Sequence, residues 1–154
     1  EKGVRRLADK GIQVIWQTGK NFGNRGEKAA EGLKGVVVTQ FISDMASAYR
    51  SADVVVSRAG AGSISELQAL GKPCILVPSP NVAEDHQTFN ARALSDIGAA
   101  ILVKDAEARE HLVDEAIALF GDNAKREEMS RKIQAMALTD SAAHIADEVE
   151  KILA

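Results

Sequence analysis

The chain has 154 residues, 45% of them hydrophobic and 4% aromatic, which bounds it to one domain with a real core. Its 19 basic and 22 acidic residues give a formal net charge of -3 and are spread along the chain. They form no Lys/Arg cluster of the kind that marks a nucleic-acid partner. No apolar run reaches the roughly 18–20 residues of a membrane span, no signal peptide is recognisable, and the single cysteine, Cys74, excludes a disulfide framework and a thiolate metal site. A soluble cytoplasmic domain is the expectation.

In chain order, Glu1–Lys10 reads as a helix already under way, so a fragment of something larger is expected. "IQVIWQ" (Ile12–Gln17), "VVVTQ" (Val36–Gln40), "ADVVVS" (Ala52–Ser57), "CILVP" (Cys74–Pro78) and "AAILV" (Ala99–Val103) are short and rich in β-branched residues. Several are apolar almost throughout, which suits strands covered on both faces. Helical patterns alternate with them at Asn24–Leu33, Ser43–Arg50, Ser63–Leu70 and Glu84–Ile97. Glu107–Phe120, Asn123–Leu138 and Ser141–Leu153 follow as a helical tail. The alternation predicts an α/β fold, a Rossmann-like parallel sheet with helices on both faces. Cys74, within an apolar run, reads as a small buried hydrophobe. In such sheets ligands bind beyond the carboxyl ends of the strands. The loops to watch are therefore Thr18–Gly26, Phe41–Asp44, Arg58–Ser63 and Ser79–Gln87.

"SRAGAGSISE", Ser57–Glu66, carries the clearest chemistry. Gly60 and Gly62 permit a close backbone approach. A helix starting near Ser63 presents unpartnered N–H groups and a positive dipole end to an anion such as phosphate. Ser63-Ile64-Ser65-Glu66 equally fits a plain capping box, S-x-x-E. A dinucleotide fingerprint is disfavoured: the following strand runs into "VPSPN", without the acid that such sites place there. "TGKN" lacks the earlier glycine and the Ser/Thr of a P-loop. In "PSPNVAEDHQTFNARAL", Glu84 and Asp85 suit a helix N-terminus on dipole grounds alone. His86, Gln87 and Asn90 share one helical turn and suit a polyhydroxyl ligand, or simply form a polar helix face. A metal site at His86 is only weakly indicated, since no second histidine stands at ligand spacing.

The ordered set "FISDM", "SRAGAGSISE", "GKPCILVP" and "DHQTFNA" resembles the MurG family, bacterial glycosyltransferases of peptidoglycan synthesis. The likeness runs from "VIWQTGK" to "GAAILV", about the middle two-thirds of the chain. It implies a GT-B enzyme that transfers GlcNAc from UDP-GlcNAc to lipid I, forming lipid II on the cytoplasmic membrane face. This chain, 1–154, corresponds to the C-terminal donor-binding domain. The acceptor domain, the catalytic base and the first strand of this domain would lie outside it, and the chain alone is expected to be inactive. The resemblance places a backbone uracil contact at Phe41 and Ile42, and the diphosphate on the helix opening at Gly62 and Ser63, with Gly60 before it. It places the ribose carboxylate at Glu66 and a sugar contact at Gln87. The family's Gln-Gln pair reads His86-Gln87 here, and Arg58 and Asn90 match further motif positions. No metal and no cofactor are implied, since a helix dipole and backbone N–H groups suffice for the leaving diphosphate. Two other readings are a nucleotide-sugar-binding subunit of a split GlcNAc-transferase and another GT-B enzyme such as a sugar-nucleotide epimerase. "EDHQTFNA" favours the MurG type over the epimerase.

Overall fold

The computed structural model describes residues 2–81 and 85–153. Its elements are α1 (Lys2–Asp9), β1 (Val14–Gln17), α2 (Gly23–Ala30), β2 (Val36–Thr39), α3 (Met45–Ser51), β3 (Val55–Ser57), α4 (Ala61–Ala69), β4 (Cys74–Leu76), α5 (His86–Ser95), β5 (Ile101–Leu102), α6 (Ala108–Gly121), α7 (Asn123–Gln134) and α8 (Ser141–Leu153). Every strand pair is parallel, and a helix separates each strand from the next. The predicted α/β alternation is borne out, with strands shorter than the apolar runs that encode them.

β4 shows why such a run becomes a strand buried on both faces. Cys74 and Leu76 pack on one side with Ile64 and Leu67 of α4, Ala91 and Leu94 of α5, and Ile133 of α7. Ile75 packs on the other side with Val103, Leu119 of α6 and Met129 of α7. Burial pushes the Cys74 thiol up to about 12, so at neutral pH it stays protonated and acts as the small hydrophobe its neighbours require. β1 and β2 behave differently. Ile15 and Val37 are register partners and are 51% and 60% exposed, so these strands cover one face only. Continuous burial, expected of several strands, is therefore a property of β4.

The strands form a β1-β2 sheet and a β3-β4-β5 sheet. A doubly wound sheet whose first strand lay outside the chain would be expected to pair the strands at 12–17 and 52–57 directly, or to take a second chain between them. Direct pairing is not what forms. Among the described residues β1 pairs with β2, and β3 with β4. The doubly wound order 3-2-1-4-5-6 supplies the reason. The observed strands follow that order from its second member onward, and there the second and fourth strands flank the first instead of touching each other. α1 bridges the two halves, contacting α2 and β1 on one side and α6 on the other. α8 buries none of its residues and shows Ile145, Val149 and Ile152 along one side.

Candidate functional site

Parallel strands carry their carboxyl ends to one edge, so the loops after Gln17, Thr39, Ser57 and Leu76 form the rim of interest. The helix after β3 begins at Ala61, with Gly60 as its N-cap, two residues earlier than Ser63. Ile64 N–H makes the first bond of its ladder, to Gly60 O at 3.0 Å. The N–H groups of Ala61, Gly62 and Ser63 consequently have no partner inside the helix. This removes the capping-box alternative. Ser63 lies within the first turn, no side chain caps the helix, and Glu66 sits a turn too far along to reach the cap N–H.

Neither glycine of the turn is required by the protein itself. Gly60 has φ −70, and Gly62 is helical. A Cβ built on either would meet nothing within 4 Å. Contrast Gly26, where a Cβ would lie 2.6 Å from Thr18 Cγ2 and 3.2 Å from Val38 Cγ1, so that α2 packs on β1 and β2 only through a glycine. The open space in front of Gly60 and Gly62 lies at the positive end of a helix dipole.

α5 holds this turn in place. Gln87 Oε1 accepts from Ala59 N at 3.3 Å and from Ser79 N at 2.9 Å. Asn90 Nδ2 donates to Ala59 O at 3.2 Å. The Ala59 peptide is thus gripped at both ends, and Ala59 itself is fully buried. Two backbone donors require the Gln87 oxygen to face them, which leaves its NH2 as the remaining hydrogen-bonding group. Arg58 braces the rim from the other side. Its Nη1 donates to Val77 O at 3.2 Å and Pro78 O at 3.3 Å, and pairs with Asp105. His86 opens α5 and is exposed; Asp85 before it takes a left-handed φ of 51 and accepts from Thr88 Oγ1 at 2.6 Å. Glu84 lies outside the described residues.

The clamp makes a testable distinction. Gln87→Glu keeps an acceptor for both N–H groups and is expected to melt within about 2 °C of the parent. Gln87→Ala strands two backbone donors and should melt several degrees lower, as expected for about 1–2 kcal/mol in a chain of this size. Equal loss in the two variants, by thermal denaturation, would show that Gln87 does not act as the acceptor of a clamp.

Glu66 is exposed on α4, and its carboxylate lies close enough to the Tyr49 hydroxyl of α3 to act on its titration. Burial of the phenol, then the neighbouring Glu66 carboxylate, raise the Tyr49 pKa above its ordinary value. The Tyr49 ring sits in the core beside Ile64 and Leu67, the residues that bracket Glu66 on α4. Asp44 starts α3 by accepting from Ser47 N at 2.9 Å; the Ser47 side chain, then this N–H, hold its own pKa below the usual carboxylate value. Farther along the rim Phe41 is 73% exposed, and Ile42 N donates to Gln17 Oε1 at 2.8 Å. Tyr49 and Gln17 carry roles that the sequence reading did not assign. Gln17 left a signal, a polar side chain closing an apolar parallel strand; Tyr49 left none beyond its helix. Among the described residues no group of three or more His, Cys, Asp or Glu side chains is placed to hold a metal ion.

The parallel layers, with the helix start at Gly60–Ser63 on their carboxyl edge, define the Rossmann-like half of a GT-B glycosyltransferase. The crystal structure of Acinetobacter baumannii MurG shares this fold, with a TM-score of 0.82 at 28% identity over 91% of this chain and 41% of that one. Glycosyltransferase VinC, solved with dTDP, shares the fold alone, with a TM-score of 0.70 at 18% identity over 96% of this chain and 37% of that one. Residues 1–146 match the glycosyltransferase family 28 C-terminal domain, and the chain belongs to that family. UDP-N-acetylglucosamine--N-acetylmuramyl-(pentapeptide) pyrophosphoryl-undecaprenol N-acetylglucosamine transferase of Bacteroides thetaiotaomicron is 55% identical to it, over 92% of this chain and 39% of that protein. The enzyme of the same name in Bacteroides fragilis is 53% identical, over 97% of this chain and 40% of that protein. The chain therefore spans about two-fifths of the length of these relatives.

Proposed function

We propose that this chain is the donor-binding domain of a MurG-type transferase that moves GlcNAc from UDP-GlcNAc to lipid I. The observation that carries the reading is the helix start at Gly60–Ser63, where two glycines serve neither conformation nor packing. A diphosphate sits there on the N–H groups of Ala61, Gly62 and Ser63. Glu66 takes the ribose diol, Phe41 and the Ile42 backbone take the uracil, and the Gln87 NH2 addresses the sugar. Asn90 and Arg58 act by holding the turn. His86 stands at the mouth of the sugar site as the counterpart of the first glutamine of the family's pair.

In the reaction the acceptor hydroxyl displaces UDP from the anomeric carbon with inversion. A base removes the hydroxyl proton, and negative charge builds on the diphosphate. The α4 dipole and backbone donors are preorganised for that charge, so they bind the leaving group more strongly as it departs. The base and the lipid I groove belong to an acceptor-binding domain of the longer protein. That protein works at the cytoplasmic face of the membrane, and no helix of the described residues is long and apolar enough to cross it.

Calorimetric titration tests the reading. UDP and UDP-GlcNAc should bind the chain, and NAD should not, because the site offers a carboxylate and backbone contacts for one nucleoside only. Tighter binding of NAD than of UDP would refute it.

A further inference from the structure

We propose that Gln17 is a built-in stand-in for the nucleobase, occupying the Ile42 backbone donor until the ligand's base displaces it. The proposal rests on the assignment of the uracil contact to Phe41 and Ile42. Gln17 closes β1, and its Oε1 accepts from Ile42 N at 2.8 Å, across the rim of the sheet. A glutamine side chain ends in a carbonyl beside an N–H donor. The edge of uracil presents the same pair, a ring carbonyl next to a ring N–H. Both groups compete for one backbone N–H, and one N–H makes one good hydrogen bond. Gln17 is itself exposed, so its side chain has solvent to swing into when it yields.

The sign of the effect follows from what else holds the loop. Thr18 N donates to Thr39 O at 2.9 Å and Gly19 N to Gln40 O at 3.1 Å. Thr18 Oγ1 donates to Thr39 O at 3.2 Å, and Thr39 Oγ1 to Phe41 O at 2.9 Å. On the far side Asp44 anchors the start of α3. With these bonds in place, loss of the Gln17 contact does not unmoor residues 39–42. Its main consequence is to free the Ile42 donor. A ligand that needs the open form is weakened in proportion to how rarely that form is populated, so removing the competitor strengthens binding. The displacement cost is the same for any base, so it cancels from the ratio of two affinities. Gln17 therefore sets how tightly a nucleotide binds and leaves the choice of base to Ile42.

The test titrates UDP and CDP into the chain and into Gln17→Leu and Gln17→Ala. Amide hydrogen exchange at Ile42 is followed with and without UDP. We expect both variants to bind UDP about two- to tenfold more tightly, the affinity equivalent of one neutral hydrogen bond. The UDP-to-CDP ratio should stay at the parent's value. Ile42 should exchange faster in the free variants than in the free parent and be protected in all three when UDP is added. UDP-dependent protection at Ile42 with unchanged or weaker binding in both variants would overturn the proposal and make Gln17 a loop anchor. Absence of UDP-dependent protection at Ile42, with UDP bound, would remove the base assignment and the proposal with it.

Discussion

Gly62→Ala is expected to raise the melting temperature by about 2–4 °C while cutting UDP affinity at least tenfold. The two halves have separate causes. Gly62 lies in the first turn of α4 with ordinary helical backbone, and an alanine methyl there would touch nothing within 4 Å. Alanine is the better helix former by up to about 1 kcal/mol, and in a chain of this size that moves the melting point by a few degrees. Helical Cα–Cβ bonds tilt toward the N-terminus, so the new methyl would stand where an anion must come to reach the N–H groups of residues 61–63. An anion oxygen belongs about 2.8–3.0 Å from those nitrogens, and a methyl carbon in its path prevents that approach. A purely structural turn predicts the gain in stability without the loss of ligand. Parent-like UDP affinity in the variant, measured by calorimetry alongside thermal melting, would move the diphosphate away from this turn.

Gly62 also shows where sequence reasoning succeeds and stops. Apolar runs such as "CILVP" declare themselves because both faces of β4 are buried, and Gly60-Ala61-Gly62 at the end of β3 marks a backbone that something approaches. The sequence pattern places the start of α4 at Ser63 for a local reason. Ser63-Ile64-Ser65-Glu66 has the spacing of a capping box, yet the helix begins two residues earlier, with a glycine as N-cap. Glycine is an adequate N-cap but contributes no side-chain bond by which a pattern can recognise it. The Ala59 clamp and the Gln17–Ile42 bond join residues 28, 31 and 25 positions apart. No periodicity encodes such distances. Resemblance to a family named Gln87 and Asn90 without saying that their first task is to hold a peptide. It named Arg58 as well, which in the structure is engaged by two carbonyls and Asp105.

The polar side chains of the rim thus divide by what they touch. Arg58, Gln87 Oε1 and Asn90 spend their bonds on backbone at the ends of β3 and β4, fixing the turn before any ligand arrives. A site whose donors are already in place loses little on reorganisation when charge builds on the leaving group. Glu66 and Phe41 are exposed, and the clamp leaves the NH2 of Gln87 uncommitted; on the proposed function these are the groups that meet the ligand.

Glu66→Gln should leave the melting temperature within about 1 °C of the parent and weaken UDP by about 1.5–3 kcal/mol, the scale of hydrogen bonds to a charged group. Glu66 is exposed and caps no helix, so the fold does not depend on its charge. A carboxylate accepts from both hydroxyls of a ribose diol at once, and each bond is charge-assisted. A carboxamide has one acceptor oxygen, no charge, and an NH2 that meets a hydroxyl only by reversing its role. Tyr49 sharpens the case. Its hydroxyl lies near the carboxylate, while its ring is fixed in the core beside Ile64 and Leu67. Tyr49→Phe retains the ring and removes the hydroxyl next to Glu66, so if that hydroxyl positions the carboxylate the variant should bind UDP about three- to tenfold more weakly. In the Glu66→Gln background the same change should cost much less, because the group it positions is already impaired, and a double-mutant cycle reads that coupling directly. 2′-Deoxy-UDP supplies the control. The parent should prefer UDP over it clearly, and the Glu66→Gln variant should not. If Glu66→Gln binds UDP as well as the parent does, or keeps the full preference for the 2′-hydroxyl, the ribose is held by some other group and the assignment of Glu66 is wrong.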